Sequence, residues 1–328
     1  MKRIGWLDFA KGLSIFIVVV GHALRGIYTH KLYMYSDKYL IIIADILFLG
    51  AMPVFFALSG YLFKKIDSWK EYAKFIKKKA INLLIPYVIF SIIYVVFQHI
   101  GEARDLQTWD KLLSIWYQPI SYLWFLYALF LIFAVVGIFS VWHVSVKMQA
   151  IIYFVFCIIT QLVKIQGWLN FPLTWMFFFY IGVLCKNYKL SIIRKKIAIA
   201  SLLLSIVILL LDFRFIGINA DYNFPHLWNF IPKVLITFLA IMFYANFPNN
   251  STFFRYFEKY GKNSLIIYLV HVPVISAVRT VILHIYLPNV FLMIIVLVAT
   301  GWYISIFVVF LNKKVKIINM IFSPYTYI

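Results

Sequence analysis

The chain has 328 residues, 64% of them hydrophobic and only 13% charged, with a net charge of +20. Soluble domains are nearer half apolar, so the main solvent of this chain is lipid. Its positive charge lies between apolar runs, and no basic, aromatic-studded domain stands apart from them. That pattern argues for charge-directed membrane orientation and against nucleic-acid partners. Cys157 and Cys185 both sit in apolar runs without metal-ligand spacing, which argues against a disulfide framework or a metal site.

The first apolar run, residues 7–27, is long enough to cross a bilayer, for which about 20 residues at roughly 1.5 Å each are needed. Lys2 and Arg3 precede it, but it carries charge and lacks a small-residue cleavage site, so a retained helix is expected. At about 100° per residue, Asp8, Lys11, Ser14, Gly21, His22, Arg25 and Gly26 fall within one arc of roughly 140°. The opposite arc holds Phe9, Ala10, Leu13, Phe16, Ile17, Val20, Ala23 and Leu24, and is expected to face lipid. His22 then lies roughly 22 Å from the cytoplasmic end of the helix, in the outer half of the bilayer, with Lys11 three turns below it on the same face. Ionisable groups inside a membrane are costly and functional by default, although Lys11 also has the plainer reading of a snorkelling lysine.

Further apolar runs follow at about 39–63, 81–100, 119–140, 148–166, 171–186, 197–213, 228–247, 264–286 and 289–311. The expected fold is therefore all-α and polytopic, with about ten transmembrane helices. With both termini cytoplasmic, 21 of the 31 Lys and Arg residues fall on the cytoplasmic side and 6 outside, the asymmetry that orients membrane proteins. The longest external loops, around Gly101–Gln118 and Gly217–Leu227, are too short for a soluble domain.

Within that frame, Ser59-Gly60 near the end of the second run reads as a site of close helix packing. Lys74–Lys79, ahead of Leu84-Ile-Pro-Tyr87, reads first as positive-inside anchoring and second as a phosphate site. Ser121-Tyr-Leu-Trp-Phe-Leu126 and Phe177–Gly182 read as interfacial aromatic belts without chemistry of their own. In the ninth run, Ser264, Tyr268, His271 and Arg279 share an arc of about 80° and form a second polar stripe. The stripes of the first and ninth helices are expected to face a common interior.

Taken together, Leu7-Asp8…Lys11-Gly12…Gly21-His22, Phe55-Phe-x-x-Ser-Gly60, Leu84-Ile-Pro-Tyr87, Leu123-Trp-Phe-Leu126 and Asn263-Ser-Leu-x-x-Tyr-Leu-x-His271 resemble the bacterial integral-membrane acyltransferase-3 family. The opening motif is most similar to its fucose 4-O-acetylase-related branch. The resemblance implies a single integral-membrane acyltransferase domain over residues 1–328, in the bacterial cell membrane. It implies acyl-CoA, chiefly acetyl-CoA, as donor substrate with no permanently bound cofactor. The acceptor would be a hydroxyl of a cell-surface glycan, an exopolysaccharide or a lipid-linked precursor, and glycan-synthesis proteins are the expected protein partners. The family's catalytic histidine maps to His22, a general base at neutral pH. Arg279 or Tyr268 is expected to stabilise the oxyanion, with Lys11, Lys78, Lys79 and Ser59 on the donor and Arg25, Asp45 and Trp124 on the acceptor. Many relatives carry arginine at the position of Lys11, so a bidentate phosphate contact is not implied there. A transporter or flippase for a polysaccharide or lipid-linked sugar fits the same ten runs.

The orientation is open to cysteine labelling from outside intact cells. Cysteines placed at Gln107 or Asn219 should react and those at Lys77 or Asn187 should not. Reaction at Lys77 overturns the ten-helix topology.

Overall fold

The computed structural model of the chain describes residues 4–100, 107–163, 165, 167–189, 195–215 and 227–327. A chain in hydrocarbon must satisfy its backbone groups internally, and the described residues form helices with no strand among them. These are α1 (Gly5–Tyr28), α2 (Asp37–Tyr61), α3 (Trp69–Ile100), α4 (Lys111–Ser114), α5 (Trp124–Val141), α6 (Val146–Leu162) and α7 (Asn170–Asn187). There follow α8 (Lys195–Phe215), α9 (Leu227–Asn246), α10 (Thr252–Gly261), α11 (Ser264–Ile285), α12 (Val290–Lys314) and α13 (Lys316–Phe322). Each of the ten apolar runs coincides with a helix. Among the described residues, seven of the helices are long and apolar enough to cross a membrane, and α6 is a shorter apolar helix. The protein is an all-α, polytopic membrane protein. Lys2, Arg3, Arg104, Lys164, Arg194, residues 101–106 of the first external loop and 217–226 of the second, Asn219 included, lie outside the described residues.

The helices form two compact units. The first comprises Met1–Phe63, Val146–Lys164 and Leu173–Ser264; the second comprises Lys64–Ser145, Ile165–Pro172 and Leu265–Ile328.

In the first unit α1 is central, packed by α2, α9 and α10, and none of its residues is exposed. The expected lipid-facing side is therefore corrected: Phe9, Ala10, Ala23 and Leu24 are buried and Leu13, Phe16, Ile17 and Val20 are half-buried. One cause is α10, a short helix in a stretch read from the sequence as a cytoplasmic connection. Ser251 caps it, its Oγ accepting from the Phe254 amide at 3.1 Å. Phe254 of α10 then stacks on Phe9 at 4.7 Å between ring centres, with Phe247 on the same ring at 4.8 Å.

The two helices meet backbone to backbone. A Cβ on Gly12 would stand 2.0 Å from the Phe257 carbonyl oxygen, and one on Gly261 would stand 1.7 Å from that of Asp8. No side chain fits in such a gap, so the crossing requires glycine on both helices. The α2–α7 crossing is built alike, with Gly60 against the Phe179 carbonyl and Gly182 against that of Ala57. Ser59-Gly60 is thus a packing element, and Lys186 of α7 completes the junction by donating to the Phe63 carbonyl at 2.8 Å.

In the second unit α3 starts about three turns before its apolar run. Those turns pack against α5: Tyr72 donates to the Ala134 carbonyl at 3.2 Å, and Ser140 Oγ accepts from the Ile66 amide at 2.8 Å. The basic block is therefore helical rather than a connecting loop. The chain's last turn also returns to α3, where the Tyr325 amide donates to Asn82 Oδ1 at 3.3 Å.

Candidate active site

In the first unit, His22 projects from the central helix and remains half-buried. Its ring meets Phe48 of α2 edge-on, with 5.1 Å between ring centres. Gly21 makes room for that phenyl group, since a Cβ there would lie 2.8 Å from Phe48 Cζ. Lys11 and Arg25 are half-buried on the same helix, whereas Ser14 is buried and its Oγ lies 3.1 Å from the Tyr244 hydroxyl. Asp45 of α2 is buried at 4% exposure, and Lys233 and Asn229 of α9 are fully buried. Because α9 packs on both α1 and α2, the interior of this unit carries more polar groups than the α1 stripe alone. Lys233 is recognisable in sequence only as a basic residue inside a span. Ser59 is half-buried, and its hydroxyl donates to the Phe55 carbonyl of its own helix at 3.0 Å.

The second unit holds the remaining candidates. Of the lysines between Lys64 and Lys79, Lys65 pairs with Asp67 at 2.6 Å, and its ammonium holds that carboxyl below the usual carboxylate range. Lys79 is half-buried, with Nζ 3.6 Å from the centre of the Phe133 ring. Lys78 is exposed and lies 5.4 Å from the centre of the Tyr325 ring, while Lys70, Lys74 and Lys77 are also exposed. The accessible cations are thus those on the outer side of the α3 extension. Trp124, half-buried at the start of α5, stacks on Phe171 with 5.7 Å between ring centres.

Around α11 the aromatic stretch Ser121–Leu126 does more than mark an interface. Pro273 has no amide hydrogen, which leaves the Leu269 carbonyl without its helical donor. The Tyr122 hydroxyl fills that vacancy, donating to Leu269 O at 2.7 Å, while the Tyr268 hydroxyl donates back to the Tyr122 carbonyl. The expected oxyanion donor Tyr268 is therefore already engaged in a reciprocal latch between α11 and the turn that opens α5. His271 is fully buried, with Nδ1 2.9 Å from the Ile267 carbonyl. Arg279 is also buried, at 8% exposure, and donates through Nη2 to Ser276 Oγ at 3.2 Å.

Half-buried histidine and lysine on a packed intramembrane helix make this stripe a candidate functional site. The family model for the acyltransferase domain of the acyltransferase-3 family matches residues 4–310. The chain belongs to the acyltransferase-3 family. It is also similar to nodulation protein NolL of Mesorhizobium japonicum, with 26% identity over 151 residues, 44% of this chain and 39% of that protein. The matched region thus spans well under half the length of that relative. No solved structure matches the chain. In this acyltransferase-3 protein His22 lies on α1, which α2, α9 and α10 pack against within its unit. The Gly21 and Phe48 partners of that histidine have no signal of their own in a single sequence, where Gly-His reads only as a motif.

Those partners make a specific expectation. Gly21→Ala should drive Phe48 into the His22 ring and lower acyl transfer by about 10-fold or more, the scale of small misplacements. Adding Phe48→Ala should restore most of it. Thiol release from acyl-CoA in isolated membranes measures both, and no recovery in the double variant overturns this role for Phe48.

Proposed function

We propose that this acyltransferase-3 protein is an O-acyltransferase of the bacterial cell membrane. It moves an acetyl or other acyl group from acyl-CoA to a hydroxyl of a cell-surface glycan or its lipid-linked precursor. The observation that carries this reading is the position of His22: it is half-buried on a helix none of whose residues is exposed, with its ring against Phe48 of α2. Family membership supports the acyl chemistry.

In this mechanism neutral His22 takes the proton of the acceptor hydroxyl as the oxygen attacks the thioester carbonyl. The tetrahedral centre collapses, the C–S bond breaks, and the imidazolium returns its proton to the leaving CoA thiolate. The balance is one ester formed and one thiol released. The lysines of the α3 extension hold the phosphates of the donor, for which an ammonium is an adequate point-charge partner. Exposed Lys74, Lys77 and Lys78 suit this better than Lys79, whose charge lies over Phe133. Lys11, three turns from His22 and roughly 16 Å along the helix, marks a span comparable with a pantetheine arm. Of the two anion-binding candidates on α11, Arg279 is better suited than Tyr268, whose hydroxyl is taken by Tyr122.

His22→Ala should lower acyl transfer by about 10²-fold or more, the usual scale for a lost general base, with membrane insertion intact. Near wild-type transfer by a well-inserted variant overturns the mechanism and favours transport. Charge reversal of Lys77 and Lys78 to glutamate should raise the KM for acyl-CoA about 10-fold, as expected for lost charge-assisted contacts, and leave the acceptor KM within about 2-fold. An unchanged donor KM in folded protein returns these lysines to membrane anchoring.

A further inference from the structure

The interior of the first unit holds a fully buried cation, Lys233, whose level relative to His22 follows from side-chain contacts. Trp6 on Tyr61 and Gly21 against Phe48 make α1 and α2 antiparallel. Phe9 on Phe247 and Ser14 on the Tyr244 hydroxyl do the same for α1 and α9. From the Ser14–Tyr244 contact, His22 lies roughly 12 Å along α1, and Arg25 and Lys233 each roughly 16 Å along α1 and α9 in the same direction. Asp45, three residues before Phe48, comes level with Leu24. Gly50 of α2 against Ile236 of α9 puts Asp45 and Lys233 within about 3 Å of one another along the bundle, in agreement. His22, Arg25, Asp45 and Lys233 thus share about one helical turn of depth.

Their faces agree as well. Eleven residues separate Lys233 from Tyr244, which at about 100° per residue returns it to within roughly 20° of the face that meets Ser14. It is also one turn from Ile236, which meets Gly50 of α2. Asp45 is one turn from Phe48, on the side of α2 that touches the His22 ring. A lysine roughly 9 Å from the start of a span ordinarily snorkels to the surface. Lys233 is instead 0% exposed, and Asp45 is 4% exposed. Asp45 brings a compensating charge to that level, as an ammonium inside a span requires. For packing alone, apolar side chains would serve as well as these two charges.

We propose that Lys233 is a catalytic residue of the transfer, its ammonium stabilising the oxyanion of the tetrahedral centre. The proposal rests on the acyltransferase reading and adds the electrophilic group to its base. As His22 takes the hydroxyl proton and the acceptor oxygen bonds to the thioester carbon, the carbonyl electron pair moves onto oxygen. That negative charge develops beside His22, at the level of Lys233. An ammonium has three N–H donors, enough to meet both Asp45 and the oxyanion. Enclosure from water makes each such contact stronger than in solution. Lys233 keeps its proton throughout. The electron pair returns to re-form the carbonyl, the C–S bond breaks, and the thiolate takes its proton from His22. Lys233 then fills the role expected of Arg279 or Tyr268, both of which belong to the other unit.

The test uses the full-length protein in isolated membranes, which supply the cell's own acceptor, with thiol release from acetyl-CoA as the rate. Lys233→Met should lower the maximal rate about 10²- to 10³-fold, the scale of a lost oxyanion donor, with the KM for acetyl-CoA within about 2-fold. That variant strands the Asp45 carboxylate, so Lys233→Met is also combined with Asp45→Asn, which removes both charges together. The double variant should insert and melt as the wild type does and remain as slow as the single one. Recovery of the rate makes Lys233 a structural counter-charge and overturns the proposal, as does a raised KM at unchanged maximal rate. Hydrolysis of acetyl-CoA by purified protein, with water in place of the acceptor, passes through the same oxyanion and should fall by a similar factor. Unchanged hydrolysis assigns Lys233 to acceptor binding and also overturns the proposal. Should His22→Ala leave transfer intact, the acyltransferase reading itself fails. A loss at His22 with none in Lys233→Met sinks this proposal alone.

Discussion

The contact between α1 and α10 at Gly12 and Gly261 sets the position of everything chemical in the first unit. Backbone against backbone leaves no side chain to act as a spacer, so the two helices can neither slide nor roll without collision. The register of α1 is thereby fixed, and with it the level of Lys11 and His22. The aromatic cluster of Phe9, Phe247 and Phe254 closes the side of α1 that hydrophobicity alone would give to lipid. A helix enclosed in this way can hold half-buried polar groups at a defined depth, because its other sides are already occupied by protein.

Much of the fold was legible in the sequence, because hydrocarbon imposes so strict a rule on the backbone. Ten apolar runs became ten helices, and the Ser59-Gly60 pair proved to be the packing element its residue types suggest. Other features were hidden for definite reasons. The helix α10 is short, and its apolar face, Phe254 and Phe257, is spaced among charges such as Arg255, Glu258 and Lys259. Such a stretch looks like a loop when hydropathy is averaged over a span. The N-terminal turns of α3 were masked by their lysines, which count as a charged connection although they continue the helix. The lipid-facing side assigned to α1 was wrong because a wheel separates polar from apolar, whereas apolar residues serve equally against lipid or protein.

The candidate site was legible as residue types but not as environments. His22 and Lys11 stand out because ionisable groups are rare in spans. Nothing in the sequence distinguishes Tyr268, locked to Tyr122, from Arg279, which has donors to spare. Likewise the lysines of residues 74–79 are equivalent as letters. In the structure one lies over an aromatic ring at 3.6 Å and others reach solvent. The partners that make these differences, Phe48, Tyr122 and Phe133, are ordinary aromatic residues in a chain with 33 phenylalanines and 23 tyrosines, so composition could not single them out.

The Tyr122 hydroxyl on the Leu269 carbonyl has a mechanical side as well. In most of α11 a bend must stretch the hydrogen bonds of the helix itself. At Pro273 the bond that would resist bending is absent, and its replacement comes from another segment of the chain. Stiffness at that point is thus set by one phenol rather than by the helix. The portion of α11 beyond it, which bears Ser276, Arg279 and His284, is joined to the portion below by a compliant joint whose resistance a single hydroxyl governs. Tilt of the upper segment can open or narrow the space beside α3 while the lower segment, clamped by Tyr268, stays in place.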